Sequence, residues 1–126
     1  MTRFLWVCLA GATGTGLRYL IGMAAGRAFG LGFPWGTLAV NVIGCFSMSV
    51  VAYAGAKLVI SPDVRLTLAT GLLGGLTTYS AFNWETLAFL RAGEWTVGML
   101  HVGITLIGCI GAGAAGLAFA RALLGG

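Results

Sequence analysis

The chain has 126 residues, of which 59% are hydrophobic and 8% charged, with a mean hydropathy of +0.98, whereas soluble domains carry roughly 25% charged residues. Such a composition excludes a water-soluble globule and implies an integral membrane protein whose short connections leave no room for a catalytic domain, so an enzyme is not expected. The net charge of +4 comes from basic residues dispersed near helix ends, as beside anionic headgroups, and does not point to nucleic acid.

A membrane-spanning helix needs about 20 mostly apolar residues, and four stretches qualify: 4–26, 35–60, 66–89 and 96–120. They predict one all-α transmembrane domain covering residues 1–126. The first stretch is too long for a signal-peptide core and lacks an obvious cleavage site, so it is read as a retained helix. Within it Arg18 must pair, reach water or snorkel. It serves either as a positive vestibule for anions or as a structural anchor, and Glu85 is its nearest candidate partner. Pro34 suits the start of the second span. On that span Thr37 and Asn41 are four apart, so both can present polar atoms to one cavity. Ser61-Pro62-Asp63 reads as a turn and helix cap.

The third span is interrupted by Gly74-Gly75-Leu76-Thr77-Thr78-Tyr79-Ser80-Ala81-Phe82. Irregular backbone at membrane depth survives only where protein or a polar cavity surrounds it, so the break marks an ion site. Carbonyls released at Gly74, Gly75, Leu76 and Thr77 are hard oxygen donors suited to an alkali cation, whereas the amides opening the second half-helix favour negative charge. Tyr79 and Phe82 share a face, and ring edges carry the positive end of the quadrupole, so they can stabilise a small anion without trapping it. Ser80 adds a hydroxyl. On the fourth span His101, Thr105 and Cys109 repeat the four-residue spacing, with Thr105 the best lining hydroxyl. Cys8, Cys45 and Cys109 lie singly in separate spans without metal-ligand spacing, and read as small apolar residues.

Four spans put both termini on one side. Arg3, Lys57, Arg65 and Arg121 lie on that side and Arg27 and Arg91 on the other, a bias weak enough for insertion in both orientations. The chain is therefore expected to pair with its own inverted copy. Small residues at helical spacing let helix backbones approach closely in lipid: Gly22, Gly26 and Gly30; Gly71 and Gly75; Gly108, Ala112 and Gly116. They serve packing within one bundle or between subunits.

The stretches Gly36-Thr37-Leu38-Ala39-Val40-Asn41-Val42-Ile43-Gly44 and Gly71-Leu72-Leu73-Gly74-Gly75-Leu76-Thr77-Thr78-Tyr79-Ser80-Ala81-Phe82 resemble the Fluc/CrcB fluoride channels, and the likeness runs the whole chain. The Leu17-Arg18-Tyr19, Phe33-Pro34-Trp35-Gly36-Thr37 and Glu85-Thr86 elements fall in order with it. The resemblance implies a passive fluoride-specific channel of the bacterial inner membrane, exporting fluoride to relieve toxicity. It further implies an antiparallel, dual-topology homodimer of four-helix subunits with a structural Na+ on the dimer axis, held by the carbonyls of Gly74 and Thr77. The implied pore lining is Asn41, Tyr79, Phe82, Thr37, Ser80 and Thr105. Two departures from the family pattern stand out: Tyr79 where phenylalanine is usual, and His101 where tyrosine is common, which can bring pH dependence near neutrality. The rival reading is a small multidrug-resistance-type proton-coupled efflux transporter, which needs a carboxylate in its first helix. The only acids are Asp63, Glu85 and Glu94. A purely structural subunit is the third reading.

Overall fold

In lipid every backbone N–H and C=O must find its partner within the protein, and this chain meets that demand by forming helices almost throughout. The structure, a computed structural model, describes residues 1–125, and no strand occurs among them. Helix α1 covers Thr2–Phe29, α2 Trp35–Ala56, α3 Pro62–Leu66, α4 Gly74–Leu76, α5 Tyr79–Arg91 and α6 Trp95–Leu124; between α3 and α4, Thr67–Leu73 forms a wider π-helical stretch. By length and composition α1, α2 and α6 can each cross a membrane; the 28 residues of α1 extend about 42 Å at 1.5 Å per residue. Most large apolar side chains point outward, Phe4, Leu5, Trp6, Leu9, Ile107 and Ile110 among them, as lipid-facing surface requires. The chain is a multi-pass membrane protein.

Helix ends follow local chemistry. The Ser61 hydroxyl accepts from the Val64 amide at 3.3 Å, Pro62 occupies the first helical position and Asp63 the first turn, a favourable set of N-terminal signals. Helix α5 closes with Gly93 at φ 80°, where the Gly93 amide donates to Leu90 O at 3.2 Å and the Glu94 amide to Phe89 O at 2.9 Å. Helix α2 closes by the same double bond, Leu58 N to Gly55 O at 3.1 Å and Val59 N to Ala54 O at 2.9 Å. Here the left-handed position is filled by Leu58 at φ 58°, a conformation that costs a branched residue about 1 kcal/mol. This cap ends α2 at Ala56, before the residue 60 expected from hydropathy.

Packing is dominated by the long α2–α6 contact, with α1 lying along the π-helical stretch, α4 and α2, and α5 against α6. Glycines set the closest approaches. A Cβ at Gly75 would run into the Gly11 carbonyl, one at Gly14 into the Leu72 carbonyl, and one at Gly116 into the Phe46 carbonyl; at Gly71 it would lie 2.8 Å from Val7 O and at Gly36 2.8 Å from Gly22 Cα. The sequence leaves these ridges open between bundle and subunit interface; Gly22, Gly71, Gly75 and Gly116 pack within one chain. Val40, Leu73 and Leu76 form the buried apolar cluster, with Ile21 and Val51 against it.

The third span departs from the simple interruption expected over residues 74–82. Gly74 and Gly75 remain helical in α4, and only Thr77 and Thr78 leave the helix, at ψ 156° and at φ −153°, ψ 111°. Thr78 then restarts it, its hydroxyl accepting from the Ala81 amide at 3.2 Å. The extended dipeptide is thus a threonine pair, whose β-branched side chains are at ease in that region, while the glycines supply proximity to α1.

Candidate functional site

Breaking a helix in a membrane releases backbone groups that something must satisfy. At Thr78 that partner is Asn41 of α2. The Thr78 amide donates to Asn41 Oδ1 at 2.8 Å, and Asn41 Nδ2 donates to the Thr78 carbonyl at 3.1 Å. Both residues are buried, 9% and 8% exposed, so the side-chain amide substitutes for a stretch of helix ladder. One Nδ2 hydrogen is left over for another acceptor. At Thr77 the amide and the hydroxyl both donate to Leu73 O, at 3.0 and 2.9 Å, and the carbonyl accepts from Arg18 Nη1 at 3.4 Å. Arg18 therefore meets the break and not Glu85, the partner suggested by residue type. Gly74 lies at the exposed surface one turn before.

Beside this junction is a cavity of about 320 Å³ lined by Asn41, Thr77, Thr78, Tyr79, Phe82 and Thr105, together with Gly44, Cys45, Met48, Leu106 and Cys109. Tyr79 and Phe82 stand with ring centroids 5.5 Å apart and planes at 53°; Tyr79 is exposed and Phe82 buried. The Thr105 hydroxyl is buried with no hydrogen-bond partner. A buried unpaired hydroxyl is costly, and this one lies on the cavity wall. Ser80 is exposed, its hydroxyl 3.2 Å from that of Thr78.

Thr37 does not share that cavity. It lines a neighbouring hollow of about 330 Å³ with Arg18, Thr78 and Ala81, and a wider cleft of about 520 Å³ with Phe33, Trp35, Glu85 and Phe89. Its hydroxyl donates to Glu85 Oε1 at 2.6 Å. The fourfold spacing of Thr37 and Asn41 is thus split between two hollows, because each side chain is drawn to a different section of the third span.

Residue types alone did not reveal the network around His101. The ring is fully buried between Phe33, Phe82 and Phe89, with centroids at 5.3, 5.0 and 6.2 Å. The Thr86 hydroxyl gives its single hydrogen to Phe82 O at 2.8 Å, so its 3.2 Å contact with His101 Nδ1 assigns Nδ1 as the donor. His101 Nε2 lies 3.9 Å from Glu85 Oε2, and neither atom has a hydrogen-bond partner. His101 and Thr105 follow each other along α6, but only Thr105 reaches the cavity. Among the described residues no three His, Cys, Asp or Glu gather as a metal set.

The sequence that builds this helix break and cavity matches the family model of the CrcB-like protein, Camphor Resistance (CrcB), over residues 5–117. The chain belongs to the CrcB family. It is similar to the "Fluoride-specific ion channel FluC" of Sorangium cellulosum (strain So ce56), 43% identical over 127 residues and covering 100% of both chains. Proteins of that name from Anaeromyxobacter dehalogenans (strain 2CP-1 / ATCC BAA-258) and Chelativorans sp. (strain BNC1) are each 45% identical, over 99% and 98% of this chain and 100% of theirs. This is a family of ion channels, not of enzymes.

Proposed function

We propose that this protein is a fluoride-specific channel that lets fluoride leave the cytoplasm down its gradient after entry as neutral hydrogen fluoride. The observation that carries the reading is end-to-end similarity to relatives named for that activity, joined to a cavity that offers hydroxyl donors and ring edges but no full positive charge on its wall. Fluoride holds its water tightly, so a passage must replace hydration without binding too well. Thr105, the spare Asn41 N–H and Ser80 supply neutral donors, and the edges of Tyr79 and Phe82 supply the positive rim of the quadrupole; the Thr37 hydroxyl is committed to Glu85. Arg18, beside Thr77, raises the positive potential at the approach.

In this proposal the stretch from Pro62 to Arg91 is the fourth crossing, a composite of α3, the π-helical turn, α4 and α5. The functional unit is an antiparallel homodimer of dual topology in the bacterial inner membrane. An alkali cation, Na+, is held between the two copies by the carbonyls of Gly74 and Thr77. The donor set fits: backbone carbonyls are hard oxygens, and the Thr77 carbonyl already attracts a cationic group in Arg18. Such an ion would supply a fixed positive charge and join the copies. Reconstitution in liposomes loaded with fluoride, read by a fluoride electrode, tests the function. Rapid efflux that excludes chloride is expected; proton-coupled export of toxic organic cations without fluoride flux would overturn the proposal.

A further inference from the structure

In the sequence the three cysteines are isolated, one per span, but the fold brings two of them together. Cys109 of α6 and Cys45 of α2 line the same cavity beside the helix break, as does Met48. Cys45 and Met48 are three apart and share a face of α2. The meeting is enforced by small residues on either side of Cys109. Gly108 sits where a Cβ would be 3.4 Å from Val42 Cγ2, Gly113 where it would be 3.5 Å from Ser49 Oγ and 3.9 Å from Cys45 O, and a Cβ at Gly116 would strike the Phe46 carbonyl. The two backbones therefore run close together along the stretch that carries Cys45 and Cys109.

We propose that Cys45, Cys109 and Met48 form a binding site for one thiophilic d10 cation of the Cu(I), Ag(I) or Hg(II) class. Two thiolates and a thioether are the ligands soft ions select, and hard alkali cations do not compete for them. Ions that favour two- or three-fold coordination need no further ligand, so the lack of a larger His, Cys, Asp and Glu cluster among the described residues is no obstacle. With Hg(II), two thiols give a neutral bis-thiolate and two released protons; with Cu(I) or Ag(I), one thiol ionises and releases one proton while the other sulfurs bind as neutral donors, and in either case a neutral product suits an apolar surrounding. The site is distinct from the carbonyl oxygens at Gly74 and Thr77, which suit a hard ion. Because it occupies the cavity assigned above to fluoride, its effect on flux rests on that reading, whereas metal binding does not.

The test uses the full-length protein in a Cys8→Ala background, which removes the one other thiol, exposed on α1. Purified protein is titrated with HgCl2 while the thiolate-to-metal charge-transfer absorbance, free thiol count and proton release are followed. One Hg(II) per chain, loss of both thiols and two protons released are expected. Cys45→Ser and Cys109→Ser should each weaken binding by roughly 100-fold or more and Met48→Leu by less, against the 10- to 100-fold typical of losing even an outer-shell contact. Single-thiol adducts at both cysteines, or binding unchanged in either serine variant, would overturn the site. In proteoliposomes the same ion should stop fluoride efflux and excess dithiothreitol restore it. Two-thiol binding with undiminished efflux would uphold the metal site and refute the routing of fluoride through this cavity.

Discussion

Replacing Asn41 with alanine removes both partners of Thr78 at once, leaving a buried amide and a buried carbonyl at a point where the helix ladder is already interrupted. Stranding a buried polar group costs about 1 to 3 kcal/mol, while polar pairs within membranes average nearer 0.6 kcal/mol because unfolded helices in lipid also find partners. Two stranded groups in a site less than 10% exposed put the loss at about 2 to 4 kcal/mol, a drop of roughly 30- to 700-fold in the folded-to-unfolded ratio at 1.4 kcal/mol per decade. Asn41→Asp should not rescue it, since a carboxylate can accept from the Thr78 amide but repels its carbonyl. The assay is reversible unfolding in mixed micelles, followed by tryptophan fluorescence, beside fluoride efflux from liposomes. If Asn41→Ala unfolds within about 0.5 kcal/mol of the parent, the range of an inconsequential surface change, the clamp does not hold the break. Efflux lost at unchanged stability would then make Asn41 a permeation donor only.

Gly75→Ala should destabilise by about 1 to 3 kcal/mol in the same assay, because its Cβ meets α1 backbone at Gly11 and Thr15 and not a side chain that can rotate away. Leu58→Gly should be neutral or stabilising by up to about 1 kcal/mol, since it relieves the left-handed residue in the α2 cap; a clear loss of stability would refute that account. Thr37→Val, which deprives Glu85 Oε1 of its donor, should cost about 1 to 3 kcal/mol, with Thr37→Ser close to the parent. Phe82→Ile, nearly isosteric in bulk but lacking a ring edge, should fold normally and lose most fluoride efflux; retained flux would exclude the ring from the pathway.

Much of this protein is local in origin and was legible in the order of its residues. Apolar stretches about 20 residues long dictate helices because lipid offers the backbone no other partner. Ser61-Pro62-Asp63 and Gly93 mark helix ends through bonds spanning only a few positions, and the Gly74–Phe82 segment announces a break in the third span, which the fold confines to Thr77 and Thr78. The motif around it also carries the family. What only the tertiary structure decided is which groups meet across helices. Asn41 reaches Thr78 from 37 positions away and Thr37 reaches Glu85 from 48; Arg18 turns to the Thr77 carbonyl, and two solitary cysteines come to line one cavity. No periodicity encodes those meetings, because they depend on the rotation and separation of packed helices. These in turn are set by where glycines such as Gly75 and Gly116 allow one backbone against another.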